Sequence, residues 1–183
     1  MNRLTLVLLL GMCTLMAFVE GRGLLREGLF GTRIDVLPLL VLYAAMRGSL
    51  SSALVVSSVA GLLFDSLSAN PLGMSLMTLG MIGVALIQVR GVILRDQALA
   101  QICLGAGVAM ANPVLGVSLL WGLGYQPVVG WGTWIQIGIL GISGAILAPL
   151  LFKVFDWLES ELTYAEEPSS RFRSDVEIKQ GRG

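Results

Sequence analysis

The sequence predicts an all-α protein, a polytopic membrane helix bundle of six transmembrane helices. Three observations carry this. Of its 183 residues, 55% are hydrophobic and only 13% charged, against roughly 25% charge in soluble domains. Apolar runs near 20 residues in length alternate with short charged clusters, which is the length a helix needs to cross the hydrocarbon core. Segments of alternating polarity, the mark of a transmembrane β-barrel, are not seen, and helices satisfy their own backbone groups in lipid.

Charges set the span boundaries, because a charge at the bilayer centre costs at least about 2.5–3.5 kcal/mol. Span one covers 4–20. It follows Met1-Asn2-Arg3 and ends at Glu20 without a small-x-small cleavage site, so it reads as a retained span rather than a signal peptide. A loop with Glu20, Arg22, Arg26, Glu27, Arg33 and Asp35 follows. Span two, 34–47, is short, bounded by Asp35 and Arg47, and needs snorkelling ends or local thinning to cross. Spans three to six cover 48–66, 72–90, 97–120 and 133–155. Residues 1–156 then form a transmembrane domain and 157–183 a charged cytoplasmic tail. The tail opens as a helix extension carrying Trp157, Leu158, Leu162 and Ala165, stops at Pro168-Ser169-Ser170, and continues as a polar segment expected to be disordered.

With six spans, nine Lys/Arg (3, 47, 90, 95, 153, 171, 173, 179, 182) fall on one side and three (22, 26, 33) on the other. The positive-inside rule then makes both termini cytoplasmic. A five-span alternative gives ten against one but leaves Arg47 in the membrane, so the cost of a buried charge favours six and makes Arg47 the topology marker. Both arrangements agree from Asp65 onward. The uncharged loop 121–132 carries Trp121 and Tyr125 and, with Trp131 and Trp134, reads as an interfacial aromatic group.

The chemistry-bearing inventory is thin. The net charge is zero and His is absent, which removes the usual general base and metal ligand and any nucleic-acid signature. Cys13 and Cys103 lie in apolar runs and read as small hydrophobes, with no disulfide framework or metal spacing. No pair of acid–base groups suited to catalysis is visible. An enzyme is therefore not expected, and no cofactor.

Packing signals are richer. Ser49, Ala53, Ser57, Gly61 and Asp65 follow one another at i, i+4 in span three, and Gly141, Ala145 and Pro149 do so in span six. Small residues in register let helix backbones approach in lipid, so Ser49, Ala53, Ser57, Gly141 and Ala145 are the expected helix-packing face. Pro113 should free the carbonyl of Ala109, and Asn112 beside it offers an amide at mid-membrane depth. With no second polar residue placed to converge on it, a kink is the expectation rather than a site. Asp65 closes the span-three stripe. An acid is unfavourable at a helix C-terminus, so Asp65 is expected to accept backbone N–H bonds from the 66–70 break or to pair with Arg33. Ser68 or Asn70 is the expected cap of the next helix, Pro71 its first-turn proline, and Gly73 a position where a side chain would clash.

Two stretches, "DVLPLLVLYAAMRG" from Asp35 and "GLLFDSLSANPLG" from Gly61, resemble the bacterial rod shape-determining protein MreD family. The matching positions are Asp35, Tyr43, Arg47 and Gly48, then Gly61, Asp65, Ser68, Pro71, Leu72 and Gly73. The likeness extends over about 1–155 but is specific only in 35–73. Pro38 within span two and the long charged tail depart from the pattern. The resemblance implies an inner-membrane scaffold of the rod-shape complex, or elongasome. Its partner would be an MreC-like bitopic protein, with MreB filaments and peptidoglycan synthases reached indirectly, and it would carry out no catalysis itself.

The family is also similar in architecture to the vitamin-binding S components of energy-coupling importers, which is the alternative function. Span one lacks the Ala-x-x-x-Ala docking pair that such a component uses. Trp121, Tyr125, Trp131 and Asn70 are the residues from which a vitamin site would have to be built.

Overall fold

The computed structural model describes residues 3–22, 35–68, 71–91 and 98–166, with side chains through Glu161. Six helices make up the described residues: α1 (Arg3–Gly21), α2 (Leu37–Arg47), α3 (Leu50–Leu67), α4 (Met74–Val89), α5 (Ala98–Gly122) and α6 (Trp131–Glu166). Four of them, α1, α3, α5 and α6, are long and apolar enough to cross a membrane, while α2 and α4 are shorter apolar helices. The all-helical expectation therefore holds among the described residues, and α1, α2 and α4 end beside Glu20, Arg47 and Arg90. α6 runs unbroken past the expected domain boundary at Asp156 to Glu166, as expected for a helix extension. The residues from 167 onward, like Arg33 and Asn70, lie outside the described residues.

The helices alternate in direction around α2. α1, α3, α4, α5 and α6 follow one another as an arc, and each also touches α2. Every residue from Leu37 to Met46 is buried, so α2 is the hub of the core. Its 11 residues span about 16 Å, half the roughly 30 Å of hydrocarbon. Because it is sheathed by protein, its length has no lipid thickness to match. Pro38 does not interrupt this helix. It stands in the first turn, where its missing N–H has no helical partner to lose. At the other end Arg47 and Gly48 lead into Ser49, which caps α3: its hydroxyl accepts from the Ser52 N–H at 3.3 Å and its own N–H donates to the Ser52 hydroxyl at 2.7 Å. Ser49 is exposed and serves as this cap rather than as part of the packing face.

The rest of the span-three stripe does pack. Ala53, Ser57, Gly61 and Asp65 are buried, and the face meets α4 in antiparallel register. A Cβ on Gly61 would lie 2.5 Å from the Cα of Leu76, and one on Gly83 would sit 4.0 Å from the Cβ of Ala53. On α1 the buried positions Thr5, Leu9, Cys13 and Ala17 repeat every four residues, and Cys13 behaves as the small hydrophobe its surroundings suggest. Cys103 is exposed.

α5 and α6 also pack closely. A Cβ on Gly144 would lie 2.5 Å from the Gly105 carbonyl oxygen and 2.6 Å from the Ala109 Cβ, and one on Gly105 would collide with Ala148. The close approach thus runs through Gly105 and Ala109 on α5 and Gly144 and Ala148 on α6. Gly141 is buried against Met110, whereas Ala145 is only half-buried. The contact ridge is offset by one helical step from the Gly141–Ala145 stripe.

Candidate functional site

The turn between α3 and α4 is built around Asp65, whose side chain is buried. The Gly73 N–H donates to its Oδ2 at 2.8 Å, and the Ser75 N–H lies 3.1 Å from both carboxylate oxygens. Among the described residues, the donors are the first amides of α4; Ala69 and Asn70 of the 66–70 break lie outside the described residues. Gly73 is the N-cap of α4 and has no side chain with which to cap it, so Asp65 supplies the cap from the preceding helix. The unfavourable place of an acid near the end of α3 is offset by its favourable place at the positive end of α4. Gly61, one turn earlier on the same face, lets the α4 backbone come close enough for those bonds to form.

The other motif positions have distinct jobs. Ser68 is the C-cap of α3, its N–H donating to the Phe64 carbonyl. The Pro71 carbonyl accepts from the Met74 N–H at 3.2 Å, so Pro71 precedes the helix in a turn. Gly73 adopts φ +95°, and a Cβ there would meet nothing within 4 Å. Its requirement is conformational, not steric as the sequence suggested. Gly73→Ala is expected to destabilise the protein by about 1–2 kcal/mol through the left-handed backbone, whereas Gly80→Ala, in open space within α4, should be neutral or slightly stabilising. Thermal unfolding in detergent compares the two, and equal effects would refute the conformational account.

At the opposite end of the bundle, Arg47 Nη2 donates to Asp156 Oδ2 at 2.7 Å, with the two side chains 31% and 38% exposed. Tyr43 lies between Phe152 and Phe155, and its hydroxyl is 3.4 Å from Asp156 and 3.5 Å from Glu159. The Thr5 hydroxyl also reaches Glu159, at 3.4 Å, tying α1 to α6. Arg90 donates to the carbonyls of Ala45 and Gly48, satisfying the last turn of α2. For the partly exposed Arg47–Asp156 pair, a double-mutant cycle with Arg47→Gln and Asp156→Asn should give a coupling of about 0.5–1 kcal/mol. Strictly additive losses would show that the pair contributes nothing.

A second polar cluster sits at the Asp65 end. The Glu20 carboxylate accepts the Val36 N–H at 2.7 Å, capping α2, and lies against the Asp35 carboxyl. Asn112 Nδ2 in turn donates to Asp35 Oδ2 at 2.9 Å. The expectation that nothing converges on Asn112 is therefore corrected. Asp35 and Asn112 line a half-open cavity of about 210 Å³ with Ser75, Thr78 and Gln136, beside apolar side chains including Phe64, Met74 and Leu140. Trp121, Tyr125, Trp131 and Trp134 are exposed, as an interfacial group would be.

No family model, curated protein or solved structure matches the chain. Sequence reasoning found Asp65 and its glycines because they are neighbours in the chain. It missed the Asp35–Asn112 bond, whose partners are 77 residues apart, and the role of Glu20, which looked like a loop charge. The one available signal was an acid directly before an apolar helix, the position of an N-terminal partner.

Proposed function

We propose that the chain is a scaffold and regulatory component of the bacterial rod-shape complex, or elongasome. In this reading it supports cell-shape control and peptidoglycan synthesis through an MreC-like bitopic membrane protein. The reading rests on the resemblance of residues 35–48 and 61–73 to the MreD family. One observation carries it furthest: the matching positions Gly61, Asp65, Ser68, Pro71 and Gly73 make up a single device, the carboxylate-capped turn between α3 and α4. Residues so committed to shaping one turn suit a protein whose output is architecture presented to partners.

The same proposal places the chain in the inner membrane with its C-terminus cytoplasmic. Arg47, Arg90 and the Asp156 end of α6 lie at one end of the bundle, and the positive-inside rule assigns that end to the cytoplasm. A reporter fused near Arg47 should therefore read cytoplasmic.

Affinity isolation in a mild detergent tests the function. Recovery of a bitopic MreC-like protein, reduced by Asp65→Ala, is the expected outcome. Recovery of an ATPase pair and a vitamin instead would overturn it in favour of the importer reading.

A further inference from the structure

The α5–α6 hairpin changes character partway along its length. Towards the Arg47 end of the bundle the two helices are locked together. The buried residues of α5 are Gly105, Val108 and Ala109, and those of α6 begin at Leu140 and Gly141 and recur at Gly144, Ala148, Phe152 and Phe155. Towards the connecting loop, none of residues 113–122 on α5 and none of 131–139 on α6 is buried.

The change coincides with a break in stiffness on each helix. Pro113 has no N–H to give to the Ala109 carbonyl, so α5 lacks one rung there. Gly141 lies against Met110, and three residues further towards the loop on each helix stand Gly138 and Pro113. Gly138 is itself in open space, with nothing within 4 Å of an added Cβ. Proline and glycine are common sites of helix bending, and here they face one another across the pair. The proline within α6, Pro149, is placed differently. Ala148 before it and Phe152 one turn on are buried, so packing clamps the helix there.

The stretch beyond the joint is tied together at its tip. The Gly124 N–H donates to the Trp121 carbonyl and the Tyr125 N–H to the Leu120 carbonyl, both at 3.0 Å, a C-terminal cap that uses Gly124 at φ +83°. At the entry to α6 the Thr133 N–H donates to the Gly130 carbonyl at 3.0 Å, and the Gly130 N–H to the Thr133 hydroxyl at 3.3 Å. On the fixed side of the joint, Asn112 is held by its bond to Asp35. The half-open cavity is the gap that this stretch overhangs: Gly116, Leu120 and Gln136 line it from the hairpin, and Phe64, Pro71 and Met74 from around the α3–α4 turn.

We propose that residues 114–137 swing as one arm about Pro113 and Gly138, and that closure brings Leu120 and Gln136 towards Phe64, Pro71 and Met74. The stretch of α5 from Pro113 to its end at Gly122 is about 14 Å long. A bend of about 20°, the scale of a proline kink, therefore carries its end through about 5 Å. The α3–α4 turn then has two surroundings, and a partner that meets this end of the bundle shifts the balance between them by its difference in affinity for the two. This inference is independent of the scaffold reading and stands or falls separately.

The test is a spin-label distance measurement on the full chain in nanodiscs, in a Cys13→Ala, Cys103→Ala background. Labels at Met77→Cys on α4 and Trp121→Cys at the end of the arm, both exposed positions, report the swing. Met77→Cys with Leu99→Cys, exposed on the fixed half of α5, is the control pair. The expected Met77–Trp121 distribution is broad or double, with components about 5 Å apart, while the control pair gives one narrow distance. Combining Pro113→Ala with Gly138→Ala restores the missing N–H and places a strong helix former at both breaks, and should collapse the Met77–Trp121 distribution to one narrow distance. The proposal is overturned if the parent distribution is already as narrow as that of the double variant, if the double variant stays as broad as the parent, or if the control pair is equally broad.

Discussion

Asp65→Ala is expected to lower the unfolding free energy by about 2–5 kcal/mol. The carboxylate is buried, and it accepts from the N–H groups of Gly73 and Ser75. Truncation leaves both donors without this acceptor at a partly buried turn, and each orphaned donor costs up to about 1–3 kcal/mol. The favourable interaction of the charge with the α4 dipole is lost as well. Asp65→Asn keeps one carbonyl oxygen in place and should cost less, about 1–2 kcal/mol. Equilibrium unfolding in mixed detergent measures both. A loss for Asp65→Ala under about 0.5 kcal/mol, the range of an ordinary surface change, would show that the carboxylate does not hold the turn.

Gly144→Ala and Gly138→Ala are the same chemical change on the same helix, and they should have opposite signs. At Gly138 a Cβ meets nothing within 4 Å, so the gain in helix propensity is expressed, up to about 1 kcal/mol. At Gly144 it would press on the Gly105 carbonyl oxygen and the Ala109 Cβ, and α5 and α6 must separate. The expected loss is about 2–3 kcal/mol. Gly105→Ala, on the facing helix, should behave like Gly144→Ala. If both glycines of the crossing tolerate alanine as Gly138 does, the two backbones are not in the contact described.

The helices were legible because charges are confined to their ends, and the span-three stripe because consecutive small residues at i, i+4 have few uses other than close packing. The α5–α6 contact was legible only as a tendency. Gly141–Ala145 and Gly144–Ala148 have identical spacing on a helix rich in small residues, and periodicity cannot choose between adjacent stripes. Ser49 was assigned to the stripe because spacing hides the capping partner, Ser52, three residues on. The burial of α2 was hidden for another reason. A helix apolar all round is a core helix in water, but in a membrane protein a lipid-facing helix reads the same way. The polar cavity depends on Asp35 and Asn112, which meet only once α2 and α5 are folded together.

The position of α2 also bears on how the protein is made. It precedes α3 to α6 in the chain, yet Phe152, Phe155 and Asp156, which cover Tyr43 and pair with Arg47, belong to α6. At about 16 Å and with charged residues at its borders, it is poorly suited to enter lipid alone. Until α6 arrives, its aromatic and cationic face must be sheltered by lipid headgroups, by the insertion machinery or by a partner chain. Biogenesis of the bundle thus closes from the C-terminal end inward, and a chain truncated before Phe152 would be expected to leave its own centre unsealed.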